Sequence, residues 1–421
     1  MSIIKISKGL LNGKVYIPAS KSVLHRAIIY SAFGNKDIVL KNAYISDDIA
    51  VTIEAIKKLG ATVNLTESKI IVNGNNFLNL KNDIVIDCKD SASTLRFLIP
   101  ISLLANKKVS FTGSNRLLER PLKPYFDMFN HKRNKAIIQF NDDLTRKDYF
   151  LDGNISSQFI TGLLSGLSKT NEKKQIILTS DLESKGYVDI TTNLMKDFGI
   201  ADVKNIRNKY IVDNQNIPTI DSYYIEGDYS QAAFFFVAGA IGSKVKCIGL
   251  NRNTVQGDKE ILDIIEHVGG IVSYQKNVIE VKKDNLKCIK ELDARNIPDL
   301  VPILAVLLSL CDGKSKITNI KRLRIKESDR LHAITTELNK LGAEIEEFDD
   351  YMVINGVKEF TGGNVDSWKD HRIAMALAIA ATRANGDVYI DNCEAVEKSY
   401  PDFWKIYNSL KSEESYEHMG K

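Results

Sequence analysis

The pattern of apolar and polar positions along the chain repeats. A helical pattern ends at a glycine and is followed by a short alternating strand, a polar turn and a second strand. Clear copies place this glycine at Gly60, Gly199, Gly269 and Gly342, and each suits a left-handed helix cap. A weaker copy turns near His131 without a glycine. The spacing of about 70 residues predicts a repeated unit of helices and strands.

The same period predicts how the units are arranged. One further period lands near Leu410, where the chain ends before a strand pair can follow the helical segment. The N-terminal strand IIKIS is a candidate to complete this sixth unit. We therefore predict six α/β units in two domains of three, one spanning 12–226 and the other combining 1–11 with 227–421. A generic α/β protein in which such segments recur by chance is the alternative.

The composition narrows the class of protein. The 421 residues are 44% hydrophobic, and 57 basic against 53 acidic residues leave a net charge of +4. This balance disfavours a nucleic-acid or membrane binder that relies on bulk charge. No apolar run reaches the roughly 18 residues of a membrane span, and the start MSIIKISKGL lacks the pattern of a secretion signal. We expect a globular, cytoplasmic protein.

Cysteine and histidine positions give no sign of disulfide or metal chemistry. The five cysteines are scattered and never form a CxxC pair, and the six histidines lack metal-ligand spacing. We expect reduced, buried thiols, and we predict neither a metal nor a cofactor.

Several predicted helices in the first half start with small hydroxyl residues near a basic residue. Free N–H groups at a helix start, combined with positive charge, favour an anion. In PASKSVLHRA, Ser22 and Arg26 share one helical face behind Lys21. Simple capping or a solvated loop explains most of these motifs almost as well when each is taken alone. The further candidates of this half are Ala92, Arg120, Ser156, Ser157, Gln158, Ser184 and Tyr187.

The second half supplies charged candidates. Asp299 starts a strongly apolar helix, where the helix dipole favours a carboxylate, and structural capping is the competing interpretation. Arg372 lies in the first turn of another apolar helix, where a cation is unfavourable unless an anion is near. The other charged candidates are Arg322, Lys326, Glu327 and Arg330 in KRLRIKESDRL, for which a mixed-charge surface is the alternative, and Lys398 before a further helix.

These segments, in this order, resemble the 5-enolpyruvylshikimate-3-phosphate synthase family of enolpyruvyl transferases over essentially the whole chain. The resemblance is carried by PASKSVLHRA, DGNISSQFITGLL, EGDYSQAAFFF, RIKESDRL, DHRIAMA and EKSYPDFW. It implies a two-domain inside-out α/β barrel, each domain having three βαβαββ repeats with helices buried within sheets, and an active site in the interdomain cleft. It also implies transfer of the enolpyruvyl (carboxyvinyl) group of phosphoenolpyruvate to the 5-hydroxyl of shikimate 3-phosphate, a step of aromatic amino-acid (chorismate) biosynthesis.

The resemblance further implies a role for each candidate residue. Shikimate 3-phosphate is expected to contact Lys21, Ser22, Arg26, Ser156, Ser157, Gln158, Ser184, Tyr187, Asp299, Arg322 and Lys326. Phosphoenolpyruvate is expected to contact Lys21, Ala92, Arg120, Gln158, Arg330, Arg372 and Lys398. Asp299 is assigned to the 5-hydroxyl proton and Glu327 to the methylene carbon, with Lys21 assisting proton transfer and phosphate departure. The expected partners are these two small molecules, without nucleic acid or membrane, and we expect a monomer.

Two positions depart from the family pattern. Ala92 stands where many members have glycine, so the resemblance predicts reduced sensitivity to the inhibitor glyphosate. Arg322 stands where the family often has asparagine near the shikimate phosphate, and as a cation it is still suited to reach a phosphate.

Two other functions fit the sequence less well. The sister transferase acting on UDP-N-acetylglucosamine typically has a cysteine in the loop that corresponds to GSNRLLERPLKPY, and this loop has none. A non-catalytic anion-binding or RNA-binding protein would gain nothing from Asp299 and Glu327 beside a phosphate, and no aromatic stacking platform accompanies the basic residues. Both are disfavoured.

Overall fold

The computed structural model describes residues 2–134, 136–213 and 217–411. The strands are β1 Ile3–Ile6, β2 Asn12–Tyr16, β3 Ile38–Lys41, β4 Thr62–Thr66, β5 Lys69–Asn73, β6 Ile84–Asp87, β7 Val109–Thr112, β8 His131–Arg133, β9 Ile138–Phe140, β10 Asp148–Leu151, β11 Lys174–Leu178, β12 Asp202–Ile206, β13 Lys209–Asp213, β14 Ser222–Tyr224, β15 Lys244–Ile248, β16 Ile271–Gln275, β17 Val278–Lys282, β18 Leu292–Asp293, β19 Lys314–Thr318, β20 Glu344–Glu347, β21 Tyr351–Asn355, β22 Gly363–Asp366 and β23 Val388–Asp391.

The α-helices are α1 Lys21–Ser31, α2 Asp47–Lys58, α3 Ala92–Ser102, α4 Asn115–Glu119, α5 Lys123–Met128, α6 Ser157–Leu167, α7 Lys185–Asp197, α8 Tyr229–Ala240, α9 Glu260–His267, α10 Val301–Ser309, α11 Arg330–Lys340, α12 His371–Ala381 and α13 Phe403–Ser409. Short 3-10 helices lie at Gly257–Lys259, Lys321–Ile325 and Cys393–Lys398.

Contacts divide the chain into two units. One combines the chain up to Pro18 with the chain from Gly227 onward, and the other is Ala19–Glu226. The first boundary therefore follows Pro18, and the sequence-based boundary at Leu11 was wrong. The reason is that β2 pairs in parallel with β15 and so belongs to the discontinuous unit.

The continuous unit contains three mixed sheets with one strand order. In the sheet β6–β7–β9–β8, β6 and β7 are parallel, whereas β9 is antiparallel to both of its neighbours. The sheet β10–β11–β13–β12 repeats this arrangement. In the sheet β14–β3–β5–β4, the first position is taken by β14, from the end of the unit. Each sheet with the helices that connect its strands forms a βαβαββ repeat, in which α4 and α5 together fill the second helical position of the middle repeat.

The discontinuous unit contains the other three sheets. Two are β16–β17–β15–β2 and β18–β19–β21–β20, which follow the same order. The third is β22–β23–β1, in which β1 runs antiparallel to β23, with Ile3 opposite Asp391 and Ile6 opposite Val388. The N-terminal strand therefore completes the sixth repeat, as the sequence period predicted.

Some helices are buried along their whole length. Every residue of α8 and of α12 is buried, because both sequences are apolar or small on every side beyond their first turns. Gly239 shows how closely α8 approaches its sheet, since a Cβ added there would lie 2.5 Å from the carbonyl oxygen of Val281. Helices enclosed in this way confirm the α/β class and the burial of helices behind sheets.

The predicted glycine caps are confirmed by the backbone. Gly60, Gly199, Gly269 and Gly342 all have positive φ angles, of 101°, 71°, 100° and 81°. At Gly60 a side chain would also collide with the carbonyl oxygen of Asn76, which lies 2.3 Å from the position of an added Cβ. These glycines therefore end the helices and allow the chain to turn directly into each strand pair.

Within the described ranges, no helix has the length and apolar character required to cross a membrane. The five cysteines are free; four are buried, and Cys288 is half-buried, contrary to the expectation that all would be buried.

Candidate active site

Arg26 is held inside the continuous unit by residues of α6 and α7. Its Nε donates to Thr191 Oγ1 at 2.7 Å and its Nη2 donates to Thr161 Oγ1 at 3.0 Å. Nη1 donates to the carbonyl oxygen of Ser22 at 2.7 Å, and Nη2 also donates to that of Tyr187 at 3.1 Å. The predicted residues Ser22, Arg26 and Tyr187 are therefore brought together.

The charge of Arg26 is balanced by no carboxylate in the described part of the chain. Its side chain is 3% exposed, and all four hydrogen bonds go to neutral oxygens. Burial lowers the pKa of Arg26 to about 10. A buried cation surrounded by neutral groups is costly, and a bound anion would offset that cost.

Lys21 is the first residue of α1 and is paired with a carboxylate. Its Nζ lies 2.8 Å from Oδ2 of Asp48 in the first turn of α2. Both side chains are largely buried, at 17% and 8% exposure. The sequence analysis missed Asp48, although an acidic residue in the first turn of a helix close behind a basic motif is a usable signal.

Gln158 is fixed by two groups at the start of α3. Its Oε1 accepts from Nη1 of Arg96 at 2.8 Å, and its Nε2 donates to Ser93 Oγ at 3.0 Å. Arg96 also donates to the carbonyl oxygen of Pro121 at 2.8 Å and lies 4.8 Å from the ring centre of Phe159. The sequence analysis missed Arg96. A cation inside an otherwise apolar helix is a feature by which it could have been found.

The remaining candidates of this unit occupy helix ends. Ser156 caps α6 by accepting from the amide of Gln158 at 3.3 Å, and Ser157 is the first residue of that helix. Ala92 is the buried first residue of α3, and Arg120 is the buried residue that ends α4. Ser184 precedes α7 with a left-handed φ of 58°.

In the discontinuous unit, one carboxylate binds three cations. Asp299 Oδ1 lies 3.0 Å from Nη1 of Arg330 and 3.4 Å from Nζ of Lys326. Its Oδ2 lies 2.9 Å from Nη2 of Arg372. We call these four residues the Asp299 cluster. The anion expected near the first turn of α12 is thus Asp299.

Arg330 links this cluster to two further carboxylates. Its Nη2 lies 2.6 Å from Oε2 of Glu327, and its Nε lies 2.9 Å from Oδ2 of Asp370. Asp370 also accepts from Ser328 Oγ at 3.1 Å and caps α12 by accepting from the amide of Arg372. Asp370 thus both caps α12 and binds Arg330, which lies 40 residues away in the chain.

These contacts change the proton affinities of the cluster. Burial alone would raise the pKa of Asp299, but Arg372, Lys326 and Arg330 together hold it well below its usual range. Burial lowers the pKa of Lys326 to about 8, although Asp299 opposes this effect. Burial raises the pKa of Asp258 to about 6, and the charge of Asp299 adds to that rise, which places another carboxyl near the cluster that the sequence analysis missed.

The other two candidates of this unit, Arg322 and Lys398, lie on 3-10 helices. Nη2 of Arg322 donates to the carbonyl oxygen of Arg295 at 2.6 Å, and its charge helps to lower the pKa of Lys326. Lys398 is half-buried at the end of the 3-10 helix Cys393–Lys398, which packs against α12.

Residues 6–407 match the profile of a protein family described as EPSP synthase (3-phosphoshikimate 1-carboxyvinyltransferase). A 3-phosphoshikimate 1-carboxyvinyltransferase of Clostridium perfringens (strain SM101 / Type A) is 43% identical over 418 residues, covering 97% of this chain and 98% of the relative. One from Clostridioides difficile (strain 630) is 40% identical over 439 residues and covers both chains completely.

Solved structures show the same fold. An EPSP synthase from Acinetobacter baumannii superposes with a TM-score of 0.81 at 22% identity and covers 98% of each chain. The enolpyruvyl transferase NikO from Streptomyces tendae superposes with a TM-score of 0.78 at 15% identity and covers 97% of each chain.

Proposed function

Because this chain belongs to the EPSP synthase (3-phosphoshikimate 1-carboxyvinyltransferase) family, we propose that it transfers the enolpyruvyl group of phosphoenolpyruvate to the 5-hydroxyl of shikimate 3-phosphate, releasing phosphate. It is thus a transferase of the shikimate pathway, which leads to aromatic amino acids. The observation that carries the proposal at the level of residues is the Asp299 cluster, in which one carboxylate, 17% exposed, is bound by three cations.

The two substrates demand an excess of positive charge. Together they carry two phosphates and two carboxylates, which must be neutralised while the reacting atoms are brought together. Arg26, which has only neutral partners in the described part of the chain, suits the acceptor, and Arg330 and Arg372 suit phosphoenolpyruvate. The other proposed contacts are Lys21, Ser22, Ser156, Ser157, Gln158, Ser184, Tyr187, Arg322 and Lys326 for the acceptor, and Lys21, Ala92, Arg120, Gln158 and Lys398 for phosphoenolpyruvate.

The reaction has an addition step and an elimination step, and each step requires two proton transfers. In the addition step the 5-hydroxyl loses its proton to Asp299 as its oxygen bonds to C2 of phosphoenolpyruvate, and Glu327 donates a proton to the methylene carbon. The product is a tetrahedral intermediate. In the elimination step that methyl carbon returns a proton to Glu327 as the C2–O bond to phosphate breaks. The proton held by Asp299 leaves with the phosphate, whose departure Lys21 stabilises.

Substrate binding would prepare Asp299 for its role. Three cations hold the pKa of Asp299 well below its usual range, so the carboxylate is a weak base in this arrangement. The anionic groups of phosphoenolpyruvate compete for Arg330 and Arg372, and weaker pairing raises the pKa of Asp299. The base therefore becomes stronger when its substrate is bound. A cytoplasmic location and a monomeric state stay predictions from the sequence.

The test is phosphate release from the purified protein with phosphoenolpyruvate, using shikimate 3-phosphate or UDP-N-acetylglucosamine as acceptor. With phosphoenolpyruvate present, we expect phosphate release when shikimate 3-phosphate is the acceptor and none with UDP-N-acetylglucosamine. Glu327→Gln should lower kcat by about 100-fold or more. Glu346→Gln is the matched control, because Glu346 is exposed on β20. Release with UDP-N-acetylglucosamine would reassign the acceptor, and full activity of Glu327→Gln would exclude the proposed proton donor.

A further inference from the structure

Two buried hydroxyls hold the Arg26 guanidinium, and nothing in the reaction scheme uses them. Thr161 on α6 and Thr191 on α7 are both completely buried, and their Oγ1 atoms lie 2.8 Å apart. We propose that this Thr161–Thr191 pair positions Arg26 to recognise the acceptor substrate and thereby sets the affinity for shikimate 3-phosphate. The inference rests on the proposed function.

The hydrogen atoms of the pair have a consistent assignment. Each hydroxyl has one hydrogen to donate and can accept others. Thr191 Oγ1 donates to the carbonyl oxygen of Tyr187 at 3.0 Å, so the hydrogen between the two hydroxyls comes from Thr161. Both oxygens then face Arg26 as acceptors, for Nε at 2.7 Å and for Nη2 at 3.0 Å. Hydrogen bonds therefore run from Arg26 to both hydroxyls, from Thr161 to Thr191, and from Thr191 to the carbonyl oxygen of Tyr187. This fixed order of donors and acceptors orients the guanidinium.

This arrangement leaves one donor for a ligand. A guanidinium has five N–H groups, and four of them are bound by Thr191, Thr161, Tyr187 and Ser22. Among the described residues, the fifth, on Nη1, has no hydrogen-bond acceptor. The plane of the group is further fixed by the ring of Phe97, whose centre lies 4.8 Å from Cζ. The two threonines therefore decide where the remaining N–H points.

The pair also connects different repeats of the unit. Arg26 lies on α1 of the first repeat, whereas Thr161 and Thr191 lie on the two helices of the third. Chain separations of 135 and 165 residues lie between Arg26 and its two hydroxyl partners. A fixed guanidinium loses little freedom when the acceptor binds, and such pre-organisation increases affinity.

The test replaces each hydroxyl by a methyl group of similar size. Thr161→Val and Thr191→Val leave a buried charged donor without its acceptor, so we expect KM for shikimate 3-phosphate to rise roughly 5- to 100-fold. We expect kcat and KM for phosphoenolpyruvate to change less than about threefold, because Arg26 is assigned to the acceptor. Thr191→Ser, which restores the hydroxyl, should return KM to within about threefold of the wild type.

Ser165→Ala is the matched control. Ser165 lies on α6 and forms a buried hydrogen bond with Tyr30 of α1 at 3.1 Å, but it does not bind Arg26. Its loss perturbs the same helix interface, and we expect KM for the acceptor to stay unchanged. An equal rise in KM for Ser165→Ala, or no rescue by Thr191→Ser, would show a merely structural role and would overturn the inference.

A double-mutant cycle separates this inference from the proposed function. In an Arg26→Lys background, the ammonium cannot use both hydroxyls as a planar fork does, so Thr191→Val should add less than about threefold to KM. A full additional rise in that background would overturn the positioning role. If the wild-type protein releases no phosphate with the two substrates, the proposed function fails; if it does and both valine variants behave as wild type, only this inference fails.

Discussion

Lys326 is a cation whose charge depends on pH near neutrality. It is a member of the Asp299 cluster, and Arg330 and Arg322 lie close enough to oppose its charge. Burial lowers the pKa of Lys326 to about 8, so the ammonium loses its proton as pH rises through that value. A phosphate bound there would favour the charged form.

We therefore expect KM for shikimate 3-phosphate to rise as pH increases from about 7 to about 9, because the free enzyme loses the Lys326 cation. Lys326→Arg should remove this rise, since a guanidinium stays protonated throughout the range. The measurement is KM against pH, with exposed Lys358→Arg as the control. An unchanged alkaline rise in Lys326→Arg would exclude Lys326 as its source.

Ala92 bears on inhibitor specificity. It is the buried first residue of α3, where the resemblance places the phosphoenolpyruvate site. If its methyl group narrows that site, the wild type should resist glyphosate, and Ala92→Gly should lower the inhibition constant by about tenfold or more. The measurement is the inhibition constant of glyphosate for the wild type and for Ala92→Gly, together with KM for phosphoenolpyruvate. Equal inhibition constants in the two proteins would show that Ala92 does not determine the sensitivity to glyphosate.

At the level of elements, β1 stands in for the last strand of the sixth repeat. Ile4 and Ile6 are 1% and 2% exposed, whereas Ile3 on the opposite face is 40% exposed. Strand alternation thus directs two isoleucines into the core of the sheet β22–β23–β1. The first residues of the chain are therefore part of the core, and not a dispensable tail.

We expect Ile4→Ala to lower the free energy of unfolding by about 2–4 kcal/mol, because it removes buried methyl groups and leaves a cavity. Ile3→Ala, on the same strand, should cost less than about 1 kcal/mol. Urea-induced unfolding of the two variants and the wild type gives these differences. Equal costs at both positions would mean that β1 is not packed as described.

At the scale of the whole molecule, the continuous unit closes on itself. Its ends meet where the amide of Ser20 donates to the carbonyl oxygen of Glu226 at 2.8 Å. All strands of its three sheets come from Ala19–Glu226, including β14, which supplies the missing first strand of the first repeat. The unit thus contains every strand that its sheets require.

We expect the fragment 19–226 to fold alone with a cooperative thermal transition, because its sheets and core need no strand from outside. A fragment ending at 220, which lacks β14 and the fully buried Ile225, should lose that cooperativity or melt at a markedly lower temperature. Circular dichroism during heating distinguishes the two. A non-cooperative transition for 19–226 would show that it depends on the rest of the chain.

The sequence by itself determined the repeat, its glycine caps, the strand that completes the sixth sheet, and the family. These features are local: apolar periodicity, a positive φ at a glycine and the order of short motifs can all be read along the chain. Asp299 is likewise a candidate from its place at a predicted helix start, and Lys326 and Arg330 are candidates from the charged segment KRLRIKESDRL.

Only the tertiary structure decided which groups meet. Asp48 beside Lys21, Arg96 beside Gln158 and the Thr161–Thr191 pair around Arg26 join residues far apart in the chain. The boundary after Pro18 was decided in the same way, by the parallel pairing of β2 with β15. Such contacts arise when separate helices and strands pack, and no local pattern encodes which polar groups then face each other.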